Sequence, residues 1–199
     1  MTQRAKVQDS KAPRPQAVPT LVTPNKITLL RLVLAPILVM LLLTPELYYP
    51  PIAALVIALG SLTDWLDGHL ARRWSAESDL GRLLDPIADK LILISALIPL
   101  VAGGLVPAWI AVLLIGREVA VTGLRGVGAT RGLVISASPV GKYKTALQMA
   151  ALILLILNFR WGVLNFHSLG MVALWAALIL SLASGLSYFR QFWRQVNSR

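Results

Sequence analysis

The chain contains no cysteine, which excludes disulfide bonds, a thiol nucleophile and thiolate metal sites. Charged residues are also scarce, at 14% of the chain, against about 25% in an average soluble domain. Hydrophobic residues make up 56% of the sequence and its mean hydropathy is +0.70. The apolar residues lie in long continuous runs rather than in amphipathic stripes. This composition predicts an all-helical integral membrane protein with a single domain.

Six of the apolar runs have the roughly 20-residue length that an α-helix needs to cross a bilayer. A polar, proline-rich and basic segment, residues 1–22, precedes them, and we predict it to be a disordered tail. The expected fold is all-α and polytopic, with six transmembrane helices in one membrane domain over residues 23–199. The predicted spans lie near residues 27–44, 51–73, 83–103, 107–128, 143–160 and 167–189.

Basic residues are distributed unequally between the two sides that these spans define. The connection from Thr44 to Pro51 and that from Gly103 to Pro107 contain no lysine or arginine, and the last connection contains Arg160 alone. Because Lys and Arg accumulate in cytoplasmic loops, both termini are predicted to be cytoplasmic, in the inner (cytoplasmic) membrane of the cell. The net charge of +10 then favours anionic lipid headgroups as the partner of the basic residues, rather than nucleic acid.

The few acidic residues are concentrated in one stretch, which contains six of the nine. Asp64 and Asp67 are three residues apart and Asp85 and Asp89 are four apart, so each pair occupies one face of a helix. Four carboxylates brought together repel one another unless a cation lies among them. Carboxylate oxygens suit hard cations such as Mg²⁺, Mn²⁺ or Ca²⁺, and Mg²⁺ usually binds substrate phosphates as well. The stretch therefore predicts a metal site for a phosphate-bearing substrate.

Residues beside the aspartates suit such a substrate. Gly68 directly follows the first pair and allows a ligand to approach the backbone; Gly81 has either this role or that of a helix start or turn. Arg72 lies on the same helical face as the first pair. Its guanidinium suits a diphosphate, although an arginine at this position also snorkels to the membrane interface.

A second polar group, mostly basic, follows in the fourth and fifth spans. Arg117 and Glu118 lie well inside span four, Arg125 lies two turns further on, and Lys142 and Lys144 begin span five. The first two could simply neutralise one another, and the other three could be topology signals. Together, however, these residues supply more positive charge than Glu118 offsets. A basic pocket facing an acidic metal site predicts a second anionic substrate, a phosphate monoester.

The acidic stretch reads D-x₂-D-G-x₂-A-R-x₈-G-x₃-D-x₃-D, and it resembles the signature of the CDP-alcohol phosphotransferase family. The similarity extends over about residues 23–150, whereas the tail and the last two spans match only in hydropathy. Three further segments carry it: Pro24-Asn25-x-x-Thr28-x-x-Arg31, Gly116-Arg117-Glu118 with Leu124-Arg125, and Ala137-Ser138-x-x-Gly141-Lys142-x-Lys144-Thr145.

The resemblance implies six transmembrane helices around a cytoplasm-facing polar cavity, usually in a homodimer. It implies two metal ions, Mg²⁺ or alternatively Mn²⁺, bound by Asp64, Asp67, Asp85 and Asp89, with Asp89 also acting as the general base. The residues implied to border the CDP-linked lipid are Asn25, Thr28, Gly68, Arg72, Ser78 and Gly81. Those implied to bind the phosphate of the acceptor are Arg117, Arg125, Lys142 and Lys144.

Within the family, residues 116–145 most resemble members that use sn-glycerol 3-phosphate. The implied reaction transfers the phosphatidyl group of CDP-diacylglycerol to that acceptor and releases CMP. Inositol phosphate or phosphatidylglycerol as the acceptor is an alternative, whereas serine would not require so much positive charge. A divalent-cation transporter is a distant alternative, because its acidic groups would be spread along a path across the bilayer.

Overall fold

The computed structural model describes residues 24–44, 49–74, 79–130 and 140–197. The helices within these ranges are α1 (Pro24–Leu43), α2 (Pro50–Trp74), α3 (Asp79–Ala102), α4 (Ala108–Thr130), α5 (Val140–Leu157) and α6 (Phe166–Asn197). Each predicted span coincides with one of these helices, which confirms the all-α fold class. The predicted tail, residues 1–22, lies outside the described residues.

Proline and glycine determine several helix ends. Pro24 begins α1 and Pro50 begins α2, where a missing N–H costs little because the first turn offers it no acceptor. After α3, Gly104 has a φ of 71°, a left-handed conformation that glycine adopts without strain. The Leu105 N–H then donates to the Leu100 carbonyl at 2.9 Å, which satisfies one of the free carbonyls at the helix end.

A short β-hairpin between α5 and α6 was not predicted from the sequence. Its strands β1 (Arg160–Trp161) and β2 (Leu164–Asn165) pair antiparallel, and Gly162 in the turn has a φ of 57°. The fifth predicted span ended at residue 160, whereas the helix ends at Leu157. Strands of two residues are too short to produce an alternating pattern in the sequence.

The helices pack in a continuous bundle. α5 packs along α6, α1 packs against α3 and α2, α4 packs against α6 and α3, and α2 contacts α5. A glycine allows the closest approach of α5 and α6, since a Cβ at Gly170 would lie 2.8 Å from Leu155 Cγ and 3.0 Å from the Leu155 backbone nitrogen. Side chains that are fully buried between the helices include Leu38, Ile57, Leu97, Leu114, Leu152 and Leu174.

Large apolar side chains are exposed on the outer surface of the bundle, among them Leu29, Ile52, Ile98, Val112 and Val172. Apolar surface of this extent is typical of a protein surrounded by lipid. Among the described residues, α6 is the one helix long and apolar enough to cross a membrane. Shorter apolar stretches are Leu29–Leu43, Pro50–Leu62, Lys90–Ala102 and Tyr143–Leu157. The number of spans stays a prediction.

Candidate active site

The four paired aspartates of the acidic stretch lie on two helices that contact each other. α2 contains Asp64 and Asp67, and α3 contains Asp85 and Asp89. Both pairs are therefore helical, which is the condition on which the spacing argument depends. Their side chains lie outside the described residues, so the metal cluster stays a prediction. The side chains that are described include no group of three His, Asp or Glu able to hold a metal.

The residues predicted to border the CDP-linked lipid are placed by their backbone. Gly68 and Arg72 belong to α2, Gly81 to α3, and Asn25 and Thr28 to α1. Ser78 lies outside the described residues, as do the side chains of the others. Gly81 is the third residue of α3, which agrees with the helix-start role.

Glu118 on α4 is the carboxylate at the centre of a group of basic side chains. Arg117 Nη1 donates to Glu118 Oε1 at 3.0 Å, and Lys144 Nζ on α5 donates to the same oxygen. The side chains of Arg117, Glu118 and Lys144 are 10%, 20% and 6% exposed. Charges so far removed from water interact more strongly than surface charges. The pairing of Arg117 with Glu118, which the sequence left open as an alternative to phosphate binding, is observed, and Lys144 shares the same carboxylate.

Arg117 also contacts α6. Its Nε donates to the Ser181 carbonyl at 2.9 Å, and its Nη2 donates to Ser184 Oγ at 2.5 Å. A Cβ at Gly185 would lie 3.2 Å from both Cγ and Nε of Arg117, so the side chain lies directly against the backbone of α6. Of the five guanidinium N–H groups, three have acceptors among the described residues. The other two have no acceptor among the described residues.

Arg125 is held by Tyr188, one turn further along α6. Its Nη2 donates to Tyr188 Oη at 2.5 Å, and its Cζ lies 4.8 Å from the ring centroid, close enough for a cation–π interaction. Tyr188 is 5% exposed. The α6 residues that contact the two arginines recur every three or four positions, as one face of a helix requires. These α6 residues were not predicted from the sequence, although polar residues at this spacing in an apolar span are a visible signal.

Lys90 connects this basic group to α3. It interacts electrostatically with Glu118 and Arg125, and it directly follows Asp89 in the sequence. The fold thus brings the basic residues to the helix that carries half of the acidic stretch. The basic cluster is defined here as Lys90, Arg117, Arg125 and Lys144, and Glu118 is the one carboxylate among the described side chains that interacts with it. Its net positive charge suits an anion such as phosphate, which forms charge-assisted hydrogen bonds with Arg and Lys. The backbone of Lys142 belongs to α5, and its side chain lies outside the described residues.

Arg31 on α1 is a further candidate. The resemblance included it without a role, and in the structure it is 2% exposed. A charge buried to this degree requires counter-charges or hydrogen-bond acceptors. Because α1 packs against both α2 and α3, Arg31 lies on a helix that contacts both aspartate-bearing helices.

Comparison with known proteins agrees with the resemblance. The family model for CDP-alcohol phosphatidyltransferase matches residues 21–183. The CDP-diacylglycerol--glycerol-3-phosphate 3-phosphatidyltransferase of Bacillus subtilis (strain 168) is 39% identical over 188 residues, 88% of this chain and 97% of the relative. Proteins of the same name from Pseudomonas fluorescens and Rickettsia typhi (strain ATCC VR-144 / Wilmington) are similar too. The first is 40% identical over 181 residues (85% of this chain, 89% of the relative), and the second 34% over 168 residues (84% and 94%). The matched range includes the acidic stretch and the basic cluster, and it ends just before Ser184.

Proposed function

The chain belongs to the CDP-alcohol phosphatidyltransferase family, and from this premise we propose that it transfers the phosphatidyl group of CDP-diacylglycerol to sn-glycerol 3-phosphate. The products are phosphatidylglycerophosphate and CMP, and the reaction belongs to phospholipid biosynthesis. Relatives named for this activity are 34% to 40% identical to the chain. The observation that carries the choice of a phosphorylated acceptor is the basic cluster, whose four cations outnumber the one carboxylate among the described side chains.

A membrane location follows from the lipid substrate, and the family is membrane-associated. We propose six spans, both termini on the cytoplasmic side of the cytoplasmic membrane, and a homodimer. Two observations support the membrane part of this proposal. The outer surface of the helices is apolar, and basic residues are concentrated on one side of the predicted spans.

Members of the family generally use divalent metal ions. We assign Asp64, Asp67, Asp85 and Asp89 as the ligands of two Mg²⁺ ions, with Mn²⁺ as a substitute. The donor set fits, because carboxylate oxygens are the ligands that Mg²⁺ prefers and both pairs have helical spacing. When bound, such ions stabilise charge on the attacking and leaving oxygens of an in-line displacement.

The chain's own residues bind and orient the reactants. The hydroxyl oxygen of the acceptor forms a bond to the lipid-bearing phosphorus, and the bond from that phosphorus to the CMP oxygen breaks, so that CMP leaves with the electron pair. Asp89 accepts the hydroxyl proton, for which it must lie within hydrogen-bond reach of the bound acceptor. The CDP-linked lipid is bordered by Asn25, Thr28, Gly68, Arg72, Ser78 and Gly81.

The acceptor's phosphate is bound by Arg117, Arg125, Lys142 and Lys144. By holding the phosphate, these residues keep the acceptor hydroxyl in one orientation, which removes much of the entropic cost of a two-substrate reaction. Arg117 contributes the two N–H groups that have no acceptor among the described residues. Because the acceptor hydroxyl attacks the phosphorus directly, the reaction needs no covalent intermediate with the protein.

The experiment that tests the proposal is transfer of label from sn-[¹⁴C]glycerol 3-phosphate to lipid. Purified protein with CDP-diacylglycerol and Mg²⁺ should produce lipid-soluble label and CMP in equal amounts, and EDTA should stop both. Transfer to inositol phosphate or phosphatidylglycerol instead would retain the family chemistry and change the acceptor. Cation flux through the protein in liposomes, with no CMP released under any of these conditions, would refute the proposal and favour a transporter.

A further inference from the structure

We infer that helix α6 positions the acceptor site, and that Ser184 and Gly185 are positioning residues that act through Arg117. The α6 notch, defined as Ser181, Ser184 and Gly185, receives one edge of the Arg117 guanidinium. This inference rests on the proposed function, since it assigns the notch a role in binding the phosphorylated acceptor. Both positioning residues lie just beyond the end of the range matched by the family model.

The hydrogen bonds within the notch give the guanidinium one orientation. Ser184 Oγ donates to the Ser181 carbonyl at 3.1 Å, which uses the single hydroxyl hydrogen and directs an oxygen lone pair elsewhere. Arg117 Nη2 donates to that oxygen and Arg117 Nε donates to the Ser181 carbonyl. Ser184 is 4% exposed, so water does not compete effectively for these groups.

The shape of the notch depends on Gly185. A Cβ at this position would lie 3.2 Å from Cγ and from Nε of Arg117, closer than ordinary van der Waals contact. An alanine there would push the arginine away from α6, and the bonds to Ser181 and Ser184 could not both keep their length. Glycine is therefore required by the close approach of the side chain.

The orientation of Arg117 also affects the position of a second cation, Lys144. Arg117 Nη1 and Lys144 Nζ both donate to Glu118 Oε1. If the guanidinium is displaced, the carboxylate loses one of these two donors, and the positions of Glu118 and Lys144 are no longer fixed by Arg117. The notch thus connects α6, through Arg117 and Glu118, to a lysine on α5. Both cations are assigned to the acceptor phosphate, and neither is assigned to the CDP-linked lipid. Loss of the notch should therefore weaken binding of the acceptor and spare binding of the lipid.

The test is steady-state kinetics of the purified full-length chain with both substrates varied. Ser184→Ala should raise the KM for glycerol 3-phosphate about tenfold, the effect of losing one hydrogen bond from a charged donor. The KM for CDP-diacylglycerol should change less than about twofold. Gly185→Ala should have the same selective effect, and Ser184→Thr, which retains the hydroxyl, should restore the acceptor KM.

Two control variants match these changes. The Ser187 hydroxyl donates to the Ser184 carbonyl of its own helix at 2.8 Å, so Ser187→Ala removes a serine hydroxyl from α6 without touching Arg117. Among the described residues, no neighbouring atom lies within 4 Å of the place where a Cβ of Gly123 on α4 would lie, so Gly123→Ala adds a methyl group that meets none of them. Both variants should keep the wild-type KM for the acceptor.

A double-mutant cycle distinguishes action through Arg117 from a general loss of structure. In an Arg117→Ala background, Ser184→Ala should add no further increase in the acceptor KM. A full tenfold increase there, an unchanged acceptor KM in both notch variants, or equal increases for the two substrates would overturn the inference. If the wild type does not use glycerol 3-phosphate, the proposed function fails instead. The variants are then compared by thermal stabilisation with inorganic phosphate, where equal stabilisation of wild type and Ser184→Ala would overturn the inference.

Discussion

Replacing Glu118 by glutamine removes, at nearly constant volume, the one carboxylate that interacts with the basic cluster among the described side chains. In the wild type, Glu118 Oε1 accepts hydrogen bonds from Arg117 and Lys144, and Lys90 interacts with it electrostatically. The variant leaves four cations near one another with no negative charge among the described side chains around them. We expect it to unfold more easily than the wild type, and to regain stability when an anion binds.

The magnitude follows from the contacts. A hydrogen bond to a charged group contributes about 1.5–3 kcal/mol, and removing one member of a buried ion pair costs about 3–5 kcal/mol. The Glu118 side chain is 20% exposed, and a glutamine oxygen still accepts one N–H group. Both facts favour the lower end, a loss of about 3 kcal/mol in the free energy of unfolding. Inorganic phosphate at about 100 times its Kd returns about 2.7 kcal/mol, which offsets nearly the whole loss.

The assay is denaturant unfolding in detergent micelles, followed by circular dichroism, with and without phosphate. Sodium chloride at the same ionic strength controls for general screening, and Glu46→Gln controls for loss of a carboxylate on the side predicted to be opposite the site. Phosphate should raise the unfolding midpoint of Glu118→Gln by more than that of the wild type. The reasoning is refuted if Glu118→Gln is as stable as the wild type without phosphate, or if chloride stabilises it as well as phosphate does.

Three further predictions concern Asp89, a pair of glycines and Tyr188. Asp89→Asn should abolish turnover while preserving the Kd for CDP-diacylglycerol better than Asp64→Asn does; wild-type turnover would remove the general-base role. Gly170→Ala should lower the unfolding free energy by about 1–3 kcal/mol because the new Cβ would meet backbone as well as side chain. Gly60→Ala, whose Cβ would meet mainly the end of an isoleucine side chain at 2.6 Å, should cost less; the reverse order in a thermal melt would contradict this. Tyr188→Phe should raise the acceptor KM a few-fold and Tyr188→Leu should raise it further, because only the phenylalanine keeps a ring over the guanidinium; equal KM values would exclude the cation–π contribution.

The positions of the helices could be predicted because hydropathy depends only on residues that are close together in the sequence. A segment surrounded by lipid must be continuously apolar and must satisfy its own backbone hydrogen bonds, so each apolar run indicates a helix. Hydropathy does not report where a helix ends once it leaves the apolar region. For this reason the sixth prediction ended at residue 189, whereas α6 continues through Arg190 and Arg194 to Asn197. The β-hairpin was missed because it depends on a turn and two strand residues on each side.

The candidate site, too, could be predicted from the sequence where its signal is local and could not be predicted where it depends on contacts between distant residues. Asp64 with Asp67, and Asp85 with Asp89, are recognisable from spacing alone, because helical periodicity operates over three or four residues. The basic residues of α4 and α5 were identified by their charge in an apolar environment, which is costly enough to require a reason. No local pattern could indicate that Arg117 bonds to Ser184, since these residues are 67 positions apart.

The amino-acid sequence by itself determined the fold class, the helical pairs of aspartates and the excess of positive charge that follows them. Each of these depends on residues close together in the chain. The tertiary structure decided which groups meet: it brought α6 against α4, gave Glu118 two cationic donors, and brought Lys90 within electrostatic range of Glu118 and Arg125. The physical reason is that a hydrogen bond or an ion pair depends on distance in space, and only the packing of helices sets that distance for residues far apart in sequence.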